Sequence, residues 1–151
     1  MSTKKKETGN KMTVEKIKHL HDIIAEVIGC DTTVRDEGIL SSAVDGIYQT
    51  FDGKELYPTL IEKACRLCFT LIKDHAFVDG NKRIGLLSMM TMLDYDKRDF
   101  DLDDRDIEKI GFGVAAGLLS YEDLLGVIRY KKLSIWDVKD AQQVSGNYPL
   151  T

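Results

Sequence analysis

The chain has 151 residues, the size of one domain with a single apolar core. Hydrophobic residues at 43% and charged residues at 30% are typical of a globular protein, which excludes the disordered and membrane classes. The net charge is −4, and the first twelve residues carry four lysines against one glutamate, so the remainder sums to −7. Such an acidic body argues against a nucleic-acid-binding surface, which would show a basic stripe.

The sequence also indicates where the protein resides. Its longest nearly uncharged stretch falls far short of the roughly 20 residues that a membrane-spanning helix requires. The N-terminus lacks the apolar core of a signal peptide. Three cysteines form neither a disulfide framework nor, without a second Cys or His pair, a zinc site. We therefore expect a cytoplasmic protein with reduced cysteines and no membrane partner.

The N-terminal half is predicted to hold three helices. Residues 1–12 form a polar, lysine-rich tail that we expect to be disordered. A first helix begins with Thr13 as its cap and ends at Gly29, and Asp36 caps a second helix. The helical period of the first is carried by Val14, Ile17, Leu20, Ile24, Val27 and Ile28.

The segment 48–58, "YQTFDGKELYP", is called the flap below. It interrupts the helical period with an Asp-Gly pair and a proline, and mixes β-forming with turn-forming residues. These features predict an exposed loop or a small hairpin. Thr59 and Glu62 follow with the spacing of a capping box, which predicts the start of a third helix.

The third helix and the run "IGLLSMMTML" are apolar on most sides, as expected for helices in the middle of a bundle. Asp103 or Asp104 can cap a further helix that extends to Leu118, and Ser120 can start the last one. We therefore predict an all-α, compact helical bundle with a flap or β-hairpin between the second and third helices. The predicted domain covers residues 13–132, and 133–151 form a C-terminal tail.

The stretch "HAFVDGNKRIG" joins the two central helices. An Asp-Gly-Asn turn there places Asp79 or Asn81 near the N-cap of the following helix, and Gly80 can expose backbone N–H groups. The helix dipole and these N–H groups favour a phosphate. Lys82 and Arg83 add positive charge where a helix alone disfavours it. This local conflict indicates a bound anion.

Two side chains of this stretch, Asp79 and His75, point to phosphate chemistry, and a third anchors the loop. Asp79 is the kind of oxygen ligand that Mg²⁺ uses when a nucleotide supplies the remaining ligands. His75 is suited near neutral pH to accept a proton from an attacking hydroxyl. Phe77 is predicted to point inward and anchor the loop.

"HAFVDGNKR" resembles the signature of the Fic/Doc superfamily, His-x-Phe-x-Asp/Glu-Gly-Asn-Gly-Arg-x-x-Arg. "VRDEGILSSAV", "YQTFDGKELYPTLIEKA" and "VAAGLLSYEDLL" are similar to its death-on-curing (Doc) branch, so that the likeness spans 14–129. The resemblance implies that His75 is the general base, Asp79 the Mg²⁺ ligand, and Gly80, Asn81 and Arg83 phosphate-binding residues. It also implies that the flap holds the target by strand-like pairing through Thr50, Phe51, Asp52, Gly53 and Lys54.

Two positions depart from the pattern of the nucleotidyl transferases in this superfamily. Lys82 replaces the second glycine, and Leu86 replaces the final arginine. Doc-type members share the lysine and are held to bind the nucleotide reversed, with the γ-phosphate facing the acceptor hydroxyl. Because the group transferred is the phosphorus that lies in line with the attacking oxygen, Lys82 favours phosphoryl transfer.

The resemblance therefore implies a Doc-like toxin that moves a phosphoryl group from ATP or another nucleoside triphosphate, with Mg²⁺, to a Ser or Thr of a target protein. Elongation factor Tu is the implied target, so that translation is arrested, and a Phd-type antitoxin is the implied partner. Two alternatives remain: transfer of AMP, favoured by Gly80, and a non-catalytic protein-binding module. The joint presence of His75, Asp79 and Arg83 opposes the second.

Overall fold

The computed structural model describes residues 11–95 and 104–130, which form six helices and one two-stranded antiparallel hairpin. The elements are α1 (Val14–Ile28), α2 (Glu37–Ile47), β1 (Thr50–Phe51), β2 (Lys54–Glu55), α3 (Leu60–Asp74), α4 (Asn81–Tyr95), α5 (Asp104–Ala115) and α6 (Tyr121–Tyr130). This order confirms the predicted all-α fold with a hairpin between the second and third helices.

The first helix has the predicted ends. The Thr13 hydroxyl accepts a hydrogen bond from the backbone N–H of Lys16 at 3.1 Å and so caps the N-terminus of α1. At the other end Gly29 adopts a left-handed conformation, with φ of 75°, and its N–H donates to the carbonyl of Ala25.

The starts of α2 and α3 also agree with the sequence. Asp36 caps α2 by accepting from the backbone N–H of Ile39 at 3.1 Å. Thr59 and Glu62 form a complete capping box at the start of α3. Short-range chemistry determines all of these ends, because each cap involves residues only three positions apart.

The flap forms a short antiparallel hairpin. Residues 50 and 51 pair with 55 and 54, and the turn between them is Asp52-Gly53. Both turn residues have positive φ, 54° and 78°, which is the backbone twist that a two-residue hairpin requires. The predicted Asp-Gly turn is therefore confirmed.

Helix α3 lies at the centre of the bundle and contacts α2, α4, α5 and α6. Helix α4 packs closely against it at Gly85, where a Cβ atom would come within 2.7 Å of the Ile72 side chain and 3.0 Å of the Cys68 carbonyl oxygen. This close approach puts the end of α3 beside the start of α4. The loop that joins them is therefore short and held at both ends.

Two boundary residues differ from the sequence-based expectation. Met12, assigned to the disordered tail, is 1% exposed, and its N–H donates to the Tyr48 hydroxyl at 2.8 Å. Leu118 lies outside α5, because Gly117 takes a left-handed conformation with φ of 79° after the helix ends at Ala115.

The tail predicted at 133–151 falls outside the described residues. None of the described helices is both long and apolar enough to cross a membrane.

Candidate active site

The loop between α3 and α4, residues 75–80, begins with His75 and is called the histidine loop below. His75 follows the last residue of α3 and adopts the left-handed conformation, with φ of 55° and ψ of 63°. In the described parts of the chain, Asp52 in the flap turn is the other non-glycine residue with positive φ. The left-handed turn ends the helix and leaves the His75 imidazole exposed. It can therefore meet a group that approaches from solvent.

The segment 33–36, which precedes α2, pairs with the loop. The N–H of Arg35 donates to the carbonyl of Ala76 at 2.8 Å, and the N–H of Val78 donates to the carbonyl of Thr33 at 3.0 Å. The loop backbone is thus held in an extended, strand-like form from outside. Such pairing reduces the freedom of the residues that carry the candidate chemistry.

Arg35 is a site residue that the sequence analysis did not single out. Its guanidinium donates to the carbonyl of His75 at 2.6 Å and to the carbonyl of Asp74 at 2.9 Å. These carbonyls lie at the C-terminal end of α3, where a cation is electrostatically favoured. The signal was present in the "VRDEG" stretch, but a lone arginine before a helix does not identify its acceptors.

Phe77 points into the core as predicted and is 1% exposed. Its ring stacks on the imidazole of His21 in α1, with centroids 3.9 Å apart and an interplanar angle of 4°. His21 is a second site residue that the sequence pattern did not single out. It falls on the apolar stripe of α1, between Ile17 and Ile24, and a histidine on such a stripe is the signal that could have revealed it.

Asn81, predicted to bind phosphate, directs its side chain to the loop. Its amide oxygen accepts from the N–H of Phe77 at 3.0 Å, and its amide nitrogen donates to the carbonyl of Phe77 at 2.9 Å. Both polar atoms of the side chain are therefore engaged in holding the turn. The groups that Asn81 can offer to a phosphate are its backbone N–H and the second proton of its amide nitrogen.

Gly80 occupies the N-cap position of α4, and Asp79 and Asn81 lie on either side of it, near the N-cap as predicted. Its carbonyl accepts the first helical hydrogen bond, from the N–H of Ile84 at 2.9 Å. Helix geometry leaves the N–H groups of the first turn, residues 81–83, without intrahelical acceptors. They are the donors that a bound anion could use.

Glycine is strongly favoured at position 80. Its φ is 79°, and a Cβ atom there would lie 3.2 Å from Nε2 of His21 and 3.3 Å from the sulfur of Cys30. The N–H of Gly80 donates to the carboxylate of Asp79 at 2.8 Å. The turn is therefore packed on its inner side against α1 and the segment that follows it.

Lys82 and Arg83 both lie exposed in the first turn of α4, which contains no acidic residue. Two cations at this end of a helix oppose its dipole, which favours negative charge. The Lys82 ammonium is 5.7 Å from the centre of the Phe112 ring of α5. A phosphate at the mouth of the turn would resolve the conflict, because both cations and the helix dipole attract it.

Asp79 is the carboxylate of the loop that could serve a metal ion. It is exposed, and one of its oxygens already accepts from Gly80. The described residues contain no cluster of three or more His, Cys, Asp or Glu side chains that could hold a metal. A single carboxylate suits Mg²⁺ only when phosphate oxygens and water complete the octahedron. The donor set fits Mg²⁺ bound together with a nucleotide.

The flap is anchored to α3 by Lys63. The Lys63 side chain is nearly buried, and its ammonium donates to the carboxylate of Glu55 at 2.7 Å and to the carbonyl of Tyr57 at 2.5 Å. The two strands themselves are exposed, and the Phe51 side chain is 75% accessible to solvent. The hairpin thus presents a free strand edge to solvent.

A cleft of about 520 Å³ runs between α2, α3 and the flap. Gln49 and Tyr57 line it at the flap, and Asp74, the residue before His75, lines it at the end of α3. The cleft therefore extends from the flap to the last residue of α3. A polypeptide lying along the flap could follow it as far as Asp74.

Comparison with known proteins identifies a family and a relative. A sequence model of the Fic/DOC family matches residues 11–93. Toxin Doc of Mycolicibacterium smegmatis is 36% identical over 109 residues, an alignment that covers 58% of this chain and 84% of that protein. The residues matched by the family model include the flap, the segment 33–36, the whole loop with His75 and Asp79, and Arg83 in the first turn of α4.

Proposed function

This chain belongs to the Fic/Doc family, whose members are generally enzymes that modify proteins. From that premise we propose that it is a Doc-like toxin that transfers a phosphoryl group from a nucleoside triphosphate to a Ser or Thr hydroxyl of a target protein. The similarity to Toxin Doc of Mycolicibacterium smegmatis supports the assignment as a toxin.

The choice of phosphoryl transfer over AMP transfer rests on Lys82. It stands in the first turn of α4 at the mouth of the loop, where the nucleotidyl transferases of this family have a glycine. Leu86, where they have an arginine, is 6% exposed and packs close to Gly111 of α5. Position 86 therefore offers no charge to a polyphosphate. Both departures support a nucleotide bound with its γ-phosphate toward His75.

His75 acts as the general base in the proposed reaction. Its imidazole takes the proton of the acceptor hydroxyl, the hydroxyl oxygen bonds to the γ-phosphorus, and the bond from that phosphorus to its bridging oxygen breaks. The nucleoside diphosphate leaves with the electron pair of that bond. Arg83, Lys82 and the backbone N–H groups of the first turn of α4, beginning with Asn81, bind the phosphates and hold the phosphorus in line, and Gly80 shapes the turn that presents them.

Asp79 is proposed to hold Mg²⁺ together with the phosphates. When bound, the ion would supply charge neutralisation for the phosphate oxygens. The carboxylate lies on the same turn as the N–H groups of the α4 terminus, which supports a shared site for metal and phosphate. We regard ATP as the simplest co-substrate, and the contacts of the loop would be made with the phosphates of any nucleoside triphosphate.

The flap is proposed to bind the target segment through backbone pairing at residues 50–54. Exposed strand edges recognise a peptide through its main chain, so the acceptor's side chains contribute little to affinity. The cleft that links the flap to Asp74 supports this path. Elongation factor Tu is the proposed target, by resemblance to Doc toxins, and a Phd-type antitoxin is the proposed partner in a cytoplasmic toxin–antitoxin system.

Isotope labelling distinguishes this proposal from AMP transfer, which Gly80 alone would permit. Purified protein is incubated with Mg²⁺, a cell lysate and ATP labelled at either the α- or the γ-phosphorus. We expect label on a protein band only from the γ position, with a phosphate-sized mass increase on one Ser or Thr. Label from the α position would overturn the phosphoryl-transfer assignment. No protein label from either would favour the non-catalytic module.

Two variants sharpen this experiment. Lys82→Met removes the charge while keeping most of the side-chain volume, and we expect transfer from the γ position to fall at least about tenfold because a charge-assisted contact is lost. Lys18→Met removes a half-exposed charge on α1, one that pairs with Glu37 and not with a loop residue, and serves as the matched control. Equal losses in the two variants would remove the support that Lys82 gives.

A further inference from the structure

His21 lies beneath the histidine loop and contacts three of its residues. Its side chain is fully buried, its ring stacks on Phe77, and its Nε2 atom is 2.8 Å from the carbonyl oxygen of Asp79. Nε2 also lies 3.2 Å from where a Cβ of Gly80 would be. One side chain of α1 therefore touches the loop along its inner face, from the ring of Phe77 to the N-cap of α4.

The hydrogen bond defines the state of the ring. A carbonyl oxygen only accepts, so Nε2 of His21 carries the proton and donates it to Asp79. In the neutral ring Nδ1 is then an acceptor, and it is buried without a hydrogen-bond partner among the described residues. An unpaired buried nitrogen is destabilising. An apolar ring could stack on Phe77 without an unpaired nitrogen, so stacking alone does not account for a histidine here.

The peptide between Asp79 and Gly80 is held from two directions. His21 binds its carbonyl, and the Asp79 carboxylate accepts its N–H. The orientation of this peptide determines where the carboxylate points and where the first N–H groups of α4 begin. Both are the groups that the proposed function assigns to Mg²⁺ and phosphate. The contact from α1 thus acts on the ligand site without touching the ligand.

We propose that His21 is a positioning residue for nucleotide binding: its N–H···O hydrogen bond to the Asp79 carbonyl orients the 79–80 peptide, and with it the Asp79 carboxylate and the N-terminal amides of α4. The proposal rests on the proposed function for the identity of the ligand. It assigns no proton transfer to His21, because its ring is closed off from solvent beneath the loop.

Two substitutions separate positioning from packing. His21→Gln replaces the ring with a side chain of similar reach that keeps an N–H donor, and it loses the stack on Phe77. His21→Phe keeps a stacked ring, removes the unpaired nitrogen and loses the donor. We expect the Phe variant to be the more stable of the two and the Gln variant to bind nucleotide better. His19, exposed on the same helix, supplies the matched controls His19→Gln and His19→Phe.

The measurements are the denaturation midpoint, the affinity for Mg²⁺-ATP by calorimetry, and KM and kcat for transfer. With His21→Phe we expect affinity to fall about tenfold, the effect of one hydrogen bond to a binding group, mainly in KM. With His21→Gln the affinity should stay within about threefold of the original. If affinity follows stability across the two variants, or neither variant changes it, His21 only packs and the proposal is wrong.

A ligand-free readout keeps this inference separate from the proposed function. The amide resonances and hydrogen-exchange rates of Gly80 and Asn81 should change in His21→Phe and remain near the original in His21→Gln. Unchanged amides in the Phe variant would reject the positioning role even if phosphoryl transfer is observed. Conversely, a protein that binds no nucleotide but shows the expected amide pattern would reject the proposed function and retain the structural role of His21.

Discussion

His75 combines the candidate chemistry with an unfavourable backbone conformation. A non-glycine residue in the left-handed region costs roughly 1–2 kcal/mol, and such residues cluster at functional sites. The segment 33–36 and the Arg35 guanidinium hold the surrounding backbone, so the conformation persists. The position therefore gives up stability to place an exposed imidazole at the end of α3.

The first prediction follows from this cost. Replacing His75 with glycine should raise the free energy of unfolding by about 0.5–1 kcal/mol, since glycine adopts positive φ without strain but is more flexible when unfolded. The same change should reduce transfer at least about 100-fold through loss of the base. Chemical denaturation and the labelling assay measure the two effects.

His75→Ala is the matched control, because it removes the imidazole and keeps the Cβ atom. We expect an equal loss of transfer and no gain in stability. If glycine is no more stable than alanine at this position, the backbone is not strained. If either variant retains full activity, another group takes the proton.

Among the elements, α3 and α4 depend on close packing at Gly85. A methyl group at this position would meet the Ile72 side chain at 2.7 Å and a backbone carbonyl at 3.0 Å, and the backbone atom cannot move without shifting α3. Because the histidine loop connects these two helices, a change in their spacing reaches the candidate site directly. The contact is thus a requirement of both fold and site.

The second prediction compares two glycine-to-alanine changes inside helices. Gly85→Ala should lower the free energy of unfolding by about 1–3 kcal/mol through overpacking. Gly126→Ala in α6, where nothing lies within 4 Å of the added atom, should raise it by about 0.5–1 kcal/mol through helix propensity. Urea denaturation of both variants tests this. A neutral Gly85→Ala would mean that the helices are less closely packed than described.

The third prediction concerns the capping box of α3. The hydrogen bonds that Thr59 donates to the Glu62 carboxylate lower the pKa of Glu62. A carboxyl group with a lower pKa in the folded state stabilises the protein above its unfolded pKa, and this contribution is lost as pH falls through the folded value.

Glu62→Gln tests this directly, because glutamine can keep a capping box but does not titrate. The original chain should lose more stability than the variant between about pH 5 and pH 3, the range in and below that of an unperturbed glutamate. Thermal unfolding across this pH range provides the measurement. Parallel pH profiles would contradict the contribution of the ionised cap.

Helix α3 lies at the centre of the molecule, and two cysteines of this helix are part of the core. Cys65 and Cys68 are both fully buried, and burial raises the pKa of Cys65 to about 12 and that of Cys68 well above the ordinary thiol value. Cys30 is only partly buried and packs beside Gly80 of the histidine loop. Reactivity should therefore differ sharply between the three thiols.

The fourth prediction is a thiol count. At neutral pH an alkylating reagent should modify Cys30 in the native protein, while Cys65 and Cys68 react only on unfolding, because the thiolate is the reactive form. Peptide mass spectrometry at increasing urea concentration measures this. Cys30→Ser should abolish the fast reaction. Rapid modification of Cys65 in the native protein would show that the bundle opens around α3.

Much of the fold could be predicted from the sequence. The caps of α1, α2 and α3, the Asp-Gly turn of the flap and the loop carrying His75 and Asp79 were all predicted. Each depends on residues within a few positions of one another, so side-chain type and spacing suffice. The errors fell at Met12 and Leu118, where burial against Tyr48 and the conformation of Gly117 set the boundary.

Other features arise only when distant segments meet. Arg35 donates to a carbonyl 40 positions away in the sequence, and His21 to one 58 positions away. The local sequence around neither residue identifies the acceptor. The choice of Gly80 as the N-cap likewise depends on packing against α1. Local chemistry thus specifies which residues can act on a phosphate, whereas the contacts between helices specify how those residues are oriented, because orientation depends on partners that folding brings together.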